Sequence, residues 1–343
     1  MALGTTAVGG DAAGLASAPF HLKATNLEQP GTYAIKPGIK ADGESSGTPA
    51  PEPTSNPSGS STPTPTSSPT PSYPTPTPET AFTWTKVNNG ANLSGVKNLT
   101  TTDIVIPQTA TVNGVVLPVT SVGNLSLNAK GLTSVVIPDT VTYISSYAFA
   151  ENKITSVTLP KSLVSTDTNA FQNNLLTSVV LPDSVRSLGY GTFSKNQIAS
   201  VTFNEGLKTV GEHAFNTNKL ENLEIPESVT TIDTSAFGYN NIKKLALHDG
   251  LQKIGDYAFY KSTAIERVSI PSTVTSIGAQ AFEGPSLKKI YMEGNAPTTF
   301  TAGTASTSST GSFRYSTGVT VYYKAGATGY TSPTWKGYST ATY

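Results

Sequence analysis

Cysteine is absent from the 343 residues, which excludes disulfide scaffolds, thiolate metal sites and cysteine nucleophiles together and leaves the compartment open. Histidine is scarce: only His21, His213 and His248 occur, too far apart in sequence for a metal-site spacing. Charged residues make up 13% and balance at 22 basic against 22 acidic, so no global basic field draws nucleic acid or an anionic membrane. No run of about 18 apolar residues exists, and no transmembrane helix is expected. Met1-Ala2-Leu3-Gly4-Thr5-Thr6 lacks the basic start and apolar run of a secretory signal, and the end at Thr342-Tyr343 lacks the basic tail of a wall anchor, so neither is expected. No Gly-x-Ser-x-Gly elbow, Gly-x-Gly-x-x-Gly loop or phosphate-loop Gly-Lys pattern appears. The expectation is therefore no enzyme, no cofactor and no metal, with stability drawn from packing alone.

What the chain does contain is a repeat. Leu132-Thr133-Ser134-Val135-Val136-Ile137-Pro138 returns with its opening residue at Ile154, Leu176, Ile198, Leu220, Ile242, Ile265 and Leu287, a step of 22 residues except for one of 23 between Ile242 and Ile265. An aromatic keeps the same beat at Phe149, Phe171, Phe193, Phe215, Phe237, Phe259 and Phe282. Two markers in phase identify a solenoid of stacked units.

Ahead of the repeats the composition changes twice. Residues 1–43 are small and Gly/Ala-rich, too poor in apolar groups for a core, and read as a docking or anchor segment. Residues 44–80 hold eleven of the 24 prolines among Thr and Ser; with φ fixed and donors removed, they read as a disordered polyproline-type stalk reaching about 110 Å at about 3.1 Å per residue. Residues 81–131 read as an N-terminal cap and degenerate repeat, with an Asn113-Gly114 turn and a strand at Asp103–Pro107. Residues 132–294 are the repeats and 295–343 the C-terminal cap.

Within a unit, Val135 and Ile137 are two apart and share the inner face of a strand, while Ser134 and Val136 face out. Pro138 ends the strand, Val141 and Ile144 point inward from a return segment, and Ala148-Phe149 fills the interior. Asn152, Asn174, Asn196, Asn218 and Asn240 follow the aromatic by three residues, replaced by Ser262 and Pro285 at the last two turns. A constant Asn there is expected to satisfy turn backbone groups and form a ladder with its copies. The slot two before the aromatic holds Tyr147, Asn169, Gly191, His213, Ser235, Tyr257 and Gln280, a variety that reads as a surface slot and argues against a catalytic His213. His248-Asp249-Gly250 reads as a turn. One unit alone buries too few apolar groups to offset ordering 22 residues, so only stacking makes the fold viable.

Specificity must then lie in the outward strand slots. These run Ser134/Val136, Ser156/Thr158, Ser178/Val180 and Ser200/Thr202, then turn charged at Asn222/Glu224, Lys244/Ala246, Arg267/Ser269 and Lys289/Tyr291. With strands about 4.8 Å apart, Lys244, Arg267 and Lys289 are expected to form a basic column ending at Tyr291. The candidate ligand-binding set is Glu224, Lys244, Arg267, Lys289 and Tyr291, facing an acidic protein or glycan partner with Tyr291 as a stacking surface.

The unit Leu-Thr-Ser-Val-x-Ile-Pro-x-x-Val-x-x-Ile-x-x-x-Ala-Phe-x-x-Asn resembles the bacterial leucine-rich repeats of the BspA, or Treponema pallidum, type over about residues 103–343. Val321-Tyr322-Tyr323-Lys324-Ala325-Gly326 through Trp335-Lys336-Gly337-Tyr338 is similar to the segment that closes such arrays. The resemblance implies a β-rich leucine-rich-repeat solenoid of about seven 22-residue repeats plus irregular caps, used for attachment rather than catalysis. One departure is Leu163-Val164-Ser165-Thr166, which stands in place of Val-x-x-Ile-Gly. The anchor, stalk and knob layout without an export signal points to a protein displayed on a virion, a phage fibre or capsid decoration that docks to its assembly through residues 1–43. The alternative is a secreted bacterial cell-surface adhesin binding host or matrix protein or glycan. Neither reading involves nucleic acid or direct membrane insertion.

Overall fold

The computed structural model describes residues 73–302 and 311–343; the anchor segment and all but the end of the stalk lie outside the described residues. The fold is built of short strands joined by turns, and one 3-10 turn, Glu79–Ala81, is the only helical element among the described residues. Each repeat makes one coil with a strand on the front face, a two-residue strand on the return side and a tight turn region closing it.

The front strands pair in parallel. Val135 lies opposite Val157, Ser178–Val180 opposite Ser200–Thr202, Asn222–Glu224 opposite Lys244–Ala246, and Arg267–Ile270 opposite Lys289–Met292. Their inner residues, including Val135, Ile137, Leu223, Ile225, Val268 and Ile270, are buried, while their partners two-fold out of phase face solvent, as the pleat requires. The return segments form a second parallel sheet that the apolar spacing alone does not announce. It runs through Tyr143–Ile144, Ser165–Thr166, a bridge at Ser187, Thr209–Val210, Thr231–Ile232, Lys253–Ile254, Ser276–Ile277 and Thr299–Phe300 without a break. In the second repeat, where Leu163-Val164-Ser165-Thr166 departs from the pattern, Thr166 takes the slot of Ile144, its hydroxyl lies 2.9 Å from Thr192 Oγ1, and the sheet continues.

Between the sheets stands a column of phenylalanines. Phe149, Phe171, Phe193, Phe215, Phe237, Phe259 and Phe282 stack with centroids 5.0–5.7 Å apart, and Phe313 ends the column at a tilted 5.9 Å contact. Near-parallel rings at that spacing bury both faces of each ring, so every coil seals its neighbour.

The caps extend this architecture beyond the seven repeats. Asp103–Val105 pairs with Ser134–Val136, and the hairpin Thr109–Val112/Val115–Val122 turns at Asn113 and Gly114, with φ of 52° and 78°. Residues 73–80 are a correction to the stalk boundary, because they pack on the cap rather than standing free of it. The Thr77 amide donates to Val105 O at 2.9 Å, Thr77 Oγ1 accepts from the Val105 amide, and the Tyr73 hydroxyl donates to Ile106 O. They cover the otherwise open edge of the first front strand, with prolines placed where no donor is needed. At the far end, Thr320–Tyr323 and Ser339–Thr342 add two parallel strands, and the hairpin through Thr334–Trp335 closes the last edge over buried Trp335 and Tyr338.

Candidate functional site

The turn after each phenylalanine is built around two left-handed residues. The slot two before the aromatic has φ of 53–58° at Tyr147, Asn169, Gly191, His213, Ser235, Tyr257 and Gln280. A second slot two after it repeats the geometry at Glu151, Asn173, Lys195, Thr217, Tyr239 and Lys261. The first slot is not uniformly a surface slot, as its variety suggests: Asn169, Ser235 and Gln280 are buried. What unites these residues is backbone shape, which costs a non-glycine residue about 1–2 kcal/mol and is over-determined here by the packed coil. The His213 ring lies against Tyr190 at a 53° tilt with centroids 5.0 Å apart, and its Nε2 is 3.8 Å from Glu212.

The asparagine that follows is buried and ties two coils together. Asn196 Nδ2 donates to Phe171 O, Phe193 O and Ser194 O at 3.0–3.2 Å, and its Oδ1 accepts from the Leu176 amide at 3.1 Å. The same set recurs at Asn152, Asn174, Asn218 and Asn240, whose Oδ1 atoms accept from Leu132, Ile154, Ile198 and Leu220. No asparagine side chain bonds its copy among these contacts. The expected ladder is instead a relay through backbone, which suits an amide that can serve donor and acceptor at once.

The relay stops at Ser262. Its hydroxyl is buried without a partner, and no acceptor for the Ile242 amide is found among the described residues. This is also the 23-residue step, where one extra residue enters between Ser262 and Ile265 and a local Ile265 amide to Ser262 O contact replaces the link across coils. No backbone hydrogen bond among the described residues joins Ile242–Leu247 to Thr263–Ile270, and the front sheet breaks there. The front sheet also breaks on either side of Ser178–Thr202, but there the turn links persist, as in the Lys219 amide to Ile198 O at 2.9 Å. At the break after Lys244–Ala246 an open cleft of about 1110 Å³ appears, lined by Lys243, Lys244, Thr263, Glu266, Arg267 and Tyr291 among others.

The predicted site residues fall on this surface in a different order from the one expected. Arg267 and Lys289 are in register, but Lys244 stands across the break from Arg267, so the regular strand spacing holds for one step of the column. Lys244 and Arg267 line the cleft together with Tyr291. Tyr291 does not end that column: it belongs to the neighbouring one, in register with Ser269 and Tyr322, and stacks on Tyr322 at 5.1 Å with Tyr343 edge-on at 5.5 Å. Glu224 stays apart from the cleft, opposite Ala246 in the second column and 3.3 Å from His248 Nε2.

Charge is unevenly satisfied across the face. Lys243 pairs with Glu221 at 2.9 Å and Lys324 with Glu293 at 2.9 Å, while Lys253 pairs with Asp233 at 3.4 Å on the return side. Hydrogen bonds from Ser269 and Lys324 hold the Glu293 carboxyl below the usual glutamate range, while burial, followed by Glu293 itself, pushes the Tyr343 phenol up to about 12. Lys244, Arg267 and Lys289 are exposed and form no salt bridge among the described residues.

Among known families, the one described as "BspA type Leucine rich repeat region" matches residues 120–243 and 233–323 in six copies, more than half of the chain. The chain belongs to this family. Solved structures similar to this BspA-type chain include a leucine-rich repeat protein of Bacteroides ovatus, 18% identical over 71% of this chain and 70% of that one, with a TM-score of 0.48. Others are the pneumococcal vaccine antigen PcpA, 18% identical over 71% and 92% with a TM-score of 0.41, and a leucine-rich cell surface protein of Faecalibacterium prausnitzii, 19% identical over 74% and 90% with a TM-score of 0.41. No curated protein matches.

Sequence reasoning missed the cleft, although both of its signals were present, the 23-residue step and the loss of Asn at Ser262. It also missed the turn-edge tyrosines, since their slots look random until the left-handed backbone is known. Among the described residues no group of three or more His, Asp or Glu is placed to hold a metal ion, and no helix is long and apolar enough to cross a membrane.

Proposed function

We propose that this protein is a non-enzymatic recognition module displayed outside a bacterial cell, where the C-terminal half of its front sheet attaches to an anionic partner. The observation that carries this reading is the set of three exposed cations without a salt bridge, Lys244, Arg267 and Lys289, on a face where Lys243 and Lys324 are neutralised. Exposed cations without partners keep their field available for an incoming ligand and raise its rate of encounter. Membership of the BspA-type family supports attachment as the purpose, and a rigid solenoid suits it because its exposed slots vary while its core does not. Residues 1–43 would then fix the module to a larger surface, with the Pro/Thr/Ser stretch holding it at a distance. A phage fibre or capsid decoration, the main reading from sequence, gains no support from the family match, which favours the cell-surface alternative.

The test is charge reversal at Lys244, Arg267 and Lys289 together, read as binding to immobilised heparin and to polyglutamate. The wild-type chain should bind at least one of the two and release it as salt rises, and the reversed chain should lose that binding. Undiminished binding by the reversed chain would rule the patch out.

A further inference from the structure

The cleft continues past the front face. Beyond the Glu221–Lys243 pair, a second depression of about 530 Å³ is lined by Lys219, Tyr239, Asn241 and Lys261, and Thr263 lines both hollows. The inserted stretch therefore forms the shared wall of one groove that runs from the turn edge to Arg267 and Tyr291. At its turn end Tyr239 is 49% exposed and meets Tyr260 with centroids 5.2 Å apart, and Lys261 lies 5.1 Å from the centre of the first ring and 5.4 Å from that of the second. Tyr239 holds this ring out from a left-handed position at φ 57°, where a bulky side chain is disfavoured.

We infer that this groove binds an acidic oligosaccharide, with sugar rings stacked on Tyr239 at one end and on Tyr291 at the other and carboxylate or sulfate groups held by Lys261, Lys244 and Arg267. The inference rests on the proposed anionic partner and adds its chemical class. Charge complementarity favours it: the walls bring Lys243, Lys244, Lys261 and Arg267 against Glu221 and Glu266, and one of those carboxylates is already bound to Lys243. A half-exposed Tyr239 and a Tyr291 that lines the cleft while packing on Tyr322, separated by polar ground, match a sugar chain, which alternates apolar C–H faces with hydroxyls. Asn241 and Thr263 supply the amide and hydroxyl that such hydroxyls need. A flexible acidic peptide would engage the cations as well, yet it has no regular use for a ring at each end.

Binding of a heparin-derived hexasaccharide, a heparin-derived disaccharide and a polyglutamate peptide is measured on the full chain. Three variants are compared: Tyr239→Asn, since Asn tolerates the left-handed backbone, Tyr239→Phe, and Lys244→Glu with Arg267→Glu. Tyr239→Asn should weaken the hexasaccharide about five-fold and leave the disaccharide unchanged, and Tyr239→Phe should bind as the wild type does. The double reversal should abolish both. If Tyr239→Asn leaves hexasaccharide binding intact while the double reversal removes it, the extended glycan groove is overturned and the anionic face survives. If polyglutamate binds as tightly as the hexasaccharide and ignores Tyr239, the partner is an acidic protein and the glycan assignment is wrong. If the double reversal changes nothing, the anionic face fails and the inference fails with it.

Discussion

Between Leu132 and Asn240 each coil is tied to its neighbour by the same buried asparagine, whereas after Ile242 that tie is gone and a groove stands in its place. The phenylalanine column and the return sheet pass through both regions without a break. One side of the solenoid thus carries continuity while the other is free to open. Because stability in a stacked array is roughly a sum of local terms, one coil can surrender its front contacts without unfolding the rest.

That comparison can be broken most forcefully at the column. Phe215 packs between Phe193 and Phe237 and takes an edge contact from Phe203 at 5.8 Å, so Phe215→Ala should cost about 3–5 kcal/mol in denaturant unfolding. A cost below about 1 kcal/mol would mean that the column does not bear on stability. The relay offers a finer contrast. Asn196→Ala leaves the Leu176 amide without a partner in the interior and takes one of two donors from Phe171 O, Phe193 O and Ser194 O, and should cost about 1–3 kcal/mol, with anionic-ligand binding retained. Ser262→Ala, at the equivalent slot, removes a hydroxyl that already lacks a partner and should change stability by less than about 0.5 kcal/mol. Equal losses at the two sites would erase the distinction between the regions.

The sequence makes the tied region readable and hides much of the open one. Period-22 apolar positions declare the coil, the inward Val135 and Ile137, and the phenylalanine column, because burial fixes residue type. The return sheet escapes notice since two residues such as Tyr143–Ile144 are too few to show an alternation. Residues 73–80 look like stalk because composition cannot reveal that Thr77 bonds Val105. The left-handed slots accept Tyr, His, Asn, Gln, Ser and Gly alike, so no residue pattern marks them and the exposed ring of Tyr239 passes for noise. The basic residues were visible by alternation, but their spacing depended on a sheet break that only the backbone shows.

Amide hydrogen exchange compares the two regions most directly, residue by residue in one native chain. The amides of Leu176, Ile198 and Leu220, each donated to an asparagine Oδ1, should exchange only with opening of the array, while the Ile242 amide, equally buried but without an acceptor, should exchange at least about ten-fold faster. Protection at Ile242 equal to that at Leu220 would contradict the claim that the tie is lost where the groove opens.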